Sequence, residues 1–149
     1  MGAVPGERGG GGAGGRSVAV RKTIVVVEDE ADIAELMCWV LERQGYRVRW
    51  AASAKEALCL MRQIAVDLVV TDYAMPRMSG GELLRAMADD VELIDIPAVV
   101  VSAYPAETVR NDCRTMRALL QKPFKTDTFV QAISKILGRE ERPGSGSPS

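Results

Sequence analysis

Two kinds of apolar pattern alternate along the middle of this chain. Ile24-Val25-Val26-Val27 is an unbroken β-branched run. It predicts a strand buried on both sides, as in a parallel sheet. Residues 29–44 instead set Ile33, Leu36, Val40 and Leu41 at helical spacing, with Gly45 where the left-handed residue after a helix belongs. Residues 47–51 give a second strand. Ser53 and Glu56 are spaced as a capping box opening a helix through Leu58 and Met61. Residues 67–71 return to the strand pattern, and Ser79 with Glu82 starts a helix carrying Leu83, Leu84 and Met87. Pro97 to Val101 is a fourth buried strand, proline being tolerated at its first residue. A weaker helix over 106–115 and a short fifth strand over 118–121 follow. Residues 126–137 close the series, with Phe129, Ile133, Ile136 and Leu137 on one helix face and Gly138 after it.

The order is (βα)5. Single helices between short buried strands predict an α/β fold, a doubly wound five-stranded parallel sheet with helices on both faces. In such sheets ligands bind beyond the carboxyl ends of the strands, where the strand order reverses.

Composition narrows the reading. Residues 1–20, with the glycines from Gly9 onward, and residues 141–149, with Pro143, Gly144, Gly146 and Pro148, lack the apolar content to offset ordering entropy. They are expected to be disordered tails around one domain at 21–140. The net charge of −1 predicts no strong attraction to nucleic acid or anionic lipid. No apolar run reaches the roughly 20 residues of a membrane helix, and the glycine-rich start lacks a signal peptide's apolar segment. A cytoplasmic location is expected. Cys38, Cys59 and Cys113 are scattered and read as small buried hydrophobes. With no histidine in the chain, a structural zinc site, serine-type triads and an internal phosphohistidine relay are set aside. Trp39 and Trp50 are read as packing residues, Trp39 lying off the main stripe.

The polar residues at the strand ends carry the chemistry. Strand one runs into Glu28, Asp29 and Glu30, strand three into Asp72, strand four into Ser102 and strand five into Lys122. Taken singly, an acid after a strand is commonly a helix cap. Together they place carboxylates, a hydroxyl and an ammonium group at one rim of the sheet. Three crowded carboxylates need counter-charge to stay ionised. Lys122 supplies one unit, and the remainder suits a hard divalent cation such as Mg²⁺, which favours carboxylates, waters and a phosphate. A carboxylate so placed can attack phosphorus, with the cation, lysine and hydroxyl neutralising the transferring group. Asp72, on the central strand, is the preferred nucleophile.

The blocks Val26-Val27-Glu28-Asp29-Glu30, Asp72-Tyr73-Ala74-Met75-Pro76-Arg77-Met78-Ser79-Gly80, Ser102-Ala103 and Lys122-Pro123-Phe124 resemble, in order and spacing, those of response-regulator receiver domains. The resemblance spans residues 22–138 and is similar to the single-domain chemotaxis type. It implies the flavodoxin-like receiver fold and a signalling switch of a two-component phosphorelay. In that role Asp72 accepts a phosphoryl group from a sensor histidine kinase or histidine phosphotransfer protein. It further implies that Glu28, Asp29, Asp72 and the backbone carbonyl of Ala74 hold Mg²⁺, that Ser102 and Lys122 contact the phosphoryl group, and that the Lys122–Pro123 bond is cis. Such a protein is not an enzyme beyond its own phosphorylation and dephosphorylation. Its output is contact with a downstream protein through the helix-four, strand-five and helix-five face, which also offers a homodimer surface. Neither nucleic acid nor membrane is an expected direct partner.

Three departures bear on these expectations. Glu28 stands where Asp is commoner. Leu119 replaces the usual aromatic three residues before the lysine, and the segment from Ser102 to Lys122 is a residue or two short. The Glu28 and Leu119 departures leave room for the main alternative, a pseudo-receiver that binds partners without phosphorylation, while the intact Asp29, Asp72 and Lys122 argue against it. A phosphatase of the haloacid-dehalogenase type needs a second acid where Ala74 stands. A flavin-binding fold needs a phosphate cradle where the chain is acidic.

Overall fold

The structure is a computed structural model and describes residues 20–138. The two tails expected from composition lie outside the described residues, apart from Val20.

The β-branched runs form strands and the amphipathic segments form helices. The elements are β1 (Thr23–Val27), α1 (Ala31–Arg43), β2 (Arg47–Ala51), α2 (Ala54–Gln63) and β3 (Leu68–Asp72), then α3 (Gly80–Ala88), β4 (Ala98–Ser102), α4 (Ala106–Asp112), β5 (Ala118–Gln121) and α5 (Thr126–Leu137). All strand pairings are parallel, in the order β2-β1-β3-β4-β5. The order reverses between β1 and β3, so the crevice this topology offers lies beyond Val27 and Asp72.

Both faces of the central strands β1, β3 and β4 are buried, as unbroken apolar strands require. Ile24, Val26, Leu68, Val70, Val99 and Val101 pack on one face with Met37, Val40 and Leu41 of α1 and Phe129 and Ile133 of α5. Val25, Val27 and Val69 meet Ala57 and Met61 of α2 and Leu83 and Met87 of α3 on the other. Each fully buried Val or Leu contributes roughly 1.5–3 kcal/mol. A smaller cluster under α4 holds Leu84, Ala98, Val100, Val109 and Cys113, with Leu119 packed against it.

Local signals act as read, with some corrections. Gly45 follows α1 at φ 98°, and Ser79 with Glu82 forms a reciprocal capping box. Ser53 caps α2, but the Glu56 carboxylate accepts from the Ala52 N–H rather than from its own N-cap residue. Leu36 is 61% exposed, not core. Met37 takes its place, because the stripe that reaches the sheet runs through Ala34, Met37 and Leu41. Cys59 is exposed and Cys38 half-buried, so only Cys113 fits the expectation of a buried thiol. α4 stops at Asp112, short of the expected 115, and α1 begins at Ala31, leaving Asp29 and Glu30 in the loop before it. Trp50 is 45% exposed on β2, the edge strand beside β1, and is not a core residue.

Candidate functional site

Asp72 is the last residue of β3, buried along its whole length, and it projects into the crevice edge at 8% exposure. Glu28 follows the last residue of β1 and is buried at 1%, while its neighbour Asp29 is exposed. Parallel pairing of Val27 with Thr71 brings these chain ends together. One carboxylate oxygen from each of Glu28, Asp29 and Asp72 falls within 4.8 Å of the others. On the far side of Asp72 the Lys122 Nζ, from the end of β5, lies 3.4 Å from Oδ1. Ser102 ends β4 and is buried; its Oγ accepts from the Tyr104 N–H at 2.8 Å. Its carbonyl accepts from the Lys122 N–H at 2.8 Å, so the two residues share one ladder rung. The Lys122–Pro123 peptide is cis. Ala74 is exposed in the loop after β3.

The backbone around Asp72 is tightly held. The Tyr73 N–H donates both to Asp72 Oδ1 at 3.0 Å and to the Val101 carbonyl at 2.9 Å. The Gly80 N–H donates to the Tyr73 carbonyl at 2.8 Å, and a Cβ on Gly80 would sit 2.6 Å from the Asp72 carbonyl oxygen. Only glycine allows α3 to start that close to the strand end. Arg77, in the same loop, has φ 69°, a left-handed conformation uncommon for a side-chain-bearing residue.

Charge at the site is under-compensated. Burial pushes the Glu28 carboxyl up from 4.5 to about 7, opposed by the Glu30 N–H and reinforced by Asp72. Burial likewise raises Asp72 above the ordinary carboxylate range, against the pull of Lys122 and the Tyr73 N–H. An all-oxygen set of three converging carboxylates with one ammonium group suits a hard divalent cation, which supplies the missing positive charge.

Two features escape the sequence. The Tyr73 hydroxyl donates to Asp112 at the end of α4 at 2.7 Å, and Arg85 of α3 pairs with the same carboxylate at 2.6 Å. The Tyr73 ring also meets Tyr104 edge-on, with centroids 5.3 Å apart. Nothing in the spacing of residues 73, 85 and 112 signals that contact. The second is the Trp50 indole N–H, which donates to the Glu28 carbonyl at 2.8 Å.

Comparisons with known proteins point one way. A family model described as the response regulator receiver domain matches residues 24–134. The polar-differentiation response regulator DivK of Brucella ovis is 31% identical over 119 residues, covering 78% of this chain and 97% of its own. The chemotaxis protein CheY4 of Vibrio cholerae superposes with a TM-score of 0.75 at 22% identity, over 79% of this chain and all of that one. The receiver domain of a Pseudomonas aeruginosa sensor histidine kinase, solved with a magnesium ion coordinated in its active-site cleft, gives 0.72 at 22% identity, over 80% and 99%. The last two likenesses concern the fold.

Proposed function

The chain belongs to the response regulator receiver family, and from that premise we propose that it is a phosphorylation-driven switch with Asp72 as phosphoryl acceptor. Receivers of this family are signalling modules of two-component systems that work with histidine kinases or phosphotransfer proteins, not conventional enzymes. The observation that carries the finer reading is the meeting of Glu28, Asp29 and Asp72 within 4.8 Å, with Lys122 3.4 Å from the acceptor.

In this reading an Asp72 carboxylate oxygen attacks the phosphorus of a partner's phosphohistidine. The new P–O bond forms as the P–N bond breaks, and the imidazole leaves with the electron pair. Tyr73 N–H and Lys122 hold Asp72 in place from two sides. Mg²⁺ bound by Glu28, Asp29, Asp72 and the Ala74 carbonyl would neutralise charge on the transferring group. The acyl phosphate carries nearly two negative charges. Lys122 and a Ser102 hydroxyl released from the Tyr104 N–H are the groups that then bind its oxygens. Their movement shifts β4, β5 and the loop between β4 and α4, biasing a pre-existing equilibrium. The output surface is the α4–β5–α5 face, where Leu119, Leu120, Gln131 and Lys135 line an open groove beside the edge strand β5. A downstream protein or a second copy of the chain binds there, in the cytoplasm. Among the described residues no helix is long and apolar enough to cross a membrane.

The pseudo-receiver alternative has one observation in its favour. Glu28 Oε2 already accepts from the Glu30 N–H at 3.1 Å, leaving that carboxylate partly engaged. Intact-mass analysis after acetyl phosphate treatment separates the two readings. The expected result is one added phosphoryl group in wild type, dependent on Mg²⁺ and absent from Asp72→Asn. Labelling that survives the substitution, or a wild-type chain that takes no label, overturns the assignment.

A further inference from the structure

Parallel ladders leave a loose end wherever one strand outlasts its neighbour. β1 and β2 pair in the register Val26 with Trp50 and Val27 with Ala51. One further bond extends the pairing, from the Glu28 N–H to the Ala51 carbonyl at 3.1 Å. The next rung would run from the Ser53 N–H to the Glu28 carbonyl. But β2 ends at Ala51, and Ser53 is already the N-cap of α2. The Glu28 carbonyl is taken instead by the Trp50 indole N–H at 2.8 Å.

This bond stands next to the chemistry. Through it, every polar group of Glu28 except one carboxylate oxygen is tied. Its N–H goes to Ala51, its carbonyl to Trp50, and Oε2 to the Glu30 N–H. The loop it anchors begins with the two acids that face Asp72. Burial of the ring does not explain the residue, since Trp50 is 45% exposed on an edge strand. An indole offers a single donor, and this one is spent on the acidic loop. Mutually repelling carboxylates splay unless their backbone is restrained, and a ligand pair already held in place loses less freedom when a cation arrives.

We propose that Trp50 is a positioning residue of the cation site: its indole N–H fixes the Glu28 carbonyl and so presets the Glu28–Asp29 carboxylates. The proposal rests on the cation-binding reading given above.

The test is calorimetric titration of MgCl2 into the full chain in three forms, wild type, Trp50→Phe and Trp39→Phe. Phenylalanine keeps an aromatic ring at position 50 and deletes the donor. Trp39 is also exposed, on α1, and lies under Arg43 at 4.9 Å, which makes it the matched control. Mg²⁺ affinity is expected to fall about tenfold in Trp50→Phe, the low end for an outer-shell partner of a metal ligand. Trp39→Phe is expected to stay within about twofold of wild type. The chain has two tryptophans, so Trp39→Phe leaves Trp50 as the sole emitter, and its fluorescence is expected to respond to Mg²⁺ with the calorimetric Kd. A urea midpoint for each metal-free protein runs alongside; a purely structural loss lowers the midpoint and leaves the Kd of the folded protein unchanged. Equal affinities in wild type and Trp50→Phe, or Trp50 emission indifferent to Mg²⁺, overturn the proposal alone. A wild-type chain that does not bind Mg²⁺ overturns the functional reading and the proposal with it.

Discussion

Asp72 and Asp112 are the same residue type, each ends its element, β3 or α4, and one residue, Tyr73, contacts both, yet the fold gives them opposite surroundings. Asp72 is buried beside two other acids, with one ammonium group at 3.4 Å. Asp112 receives Arg85 at 2.6 Å and the Tyr73 hydroxyl at 2.7 Å. Burial raises the first above the ordinary carboxylate range; the Arg85 guanidinium and then the Tyr73 hydroxyl hold the second below it. On the proposed reading, the difference separates a site from a strut. A carboxylate kept where its charge is unfavourable serves something other than stability, whereas one with two donors joins α3, β3 and α4 into one body.

The largest expected contrast is in pH dependence. Glu28 rises from 4.5 to about 7 in the folded chain. The folded state therefore binds more protons than the unfolded one between those values, and metal-free stability falls as pH rises through that window. Asp72 adds in the same direction. The shift at Glu28 bounds its contribution at about 3 kcal/mol. Asp112 works with the opposite sign: its contribution is full above the unfolded value of 3.8 and is lost as pH falls through its lower folded value. Urea melts from pH 4 to 8 are expected to show declining metal-free stability toward neutrality, and saturating Mg²⁺ is expected to flatten that decline. A metal-free protein that gains stability from pH 5 to 7 would contradict the account of the acidic cluster.

Neutralising each aspartate sharpens the comparison. At pH 7 without metal, Asp72→Asn removes a buried, under-compensated charge and is expected to stabilise the fold by about 1 kcal/mol or more. Asp112→Asn keeps the shape and removes the charge facing Arg85, in a half-exposed place where screening is partial. It is expected to destabilise by about 1 kcal/mol. Urea midpoints that move in the same direction for both variants would erase the distinction between them.

How far the sequence disclosed each region follows from the range of the forces involved. The strands were legible because Ile24–Val27 and Leu68–Thr71 declare burial on both faces by local composition, and the acids were legible because each directly follows such a run. Ser102 and Lys122 could be placed by the same rule. Leu36 was misread because helical spacing alone allows two neighbouring stripes, and contact with the sheet selects the one through Met37. The left-handed Arg77 carries no local signal at all, since glycine or asparagine is what that conformation ordinarily favours. The bonds of Trp50 and Asp112 join side chains whose partners are chosen only when β2 stops and α4 stops. Those are tertiary events, and no periodicity encodes them.

Tyr73 touches both aspartates, and so gives the finest test of their separation. Its N–H donates to Asp72 and its hydroxyl to Asp112. Tyr73→Phe keeps the first bond, which belongs to the backbone, and deletes the second. Arg85 remains on Asp112, so the carboxylate is not orphaned, and the expected loss is only about 0.5–1 kcal/mol. Some of that is an effect of ring hydration, because the hydroxyl is polar and its neighbourhood part-buried. A double-mutant cycle with Asp112→Asn isolates the bond itself. A coupling of about 0.5 kcal/mol is expected at pH 7. It should shrink as pH falls through the lowered folded value of Asp112, where protonation replaces a charged acceptor by a neutral one. Strictly additive midpoints across the whole pH range would mean that the tyrosine is held by its edge-on contact with Tyr104, and that α4 is tied to β3 by packing alone.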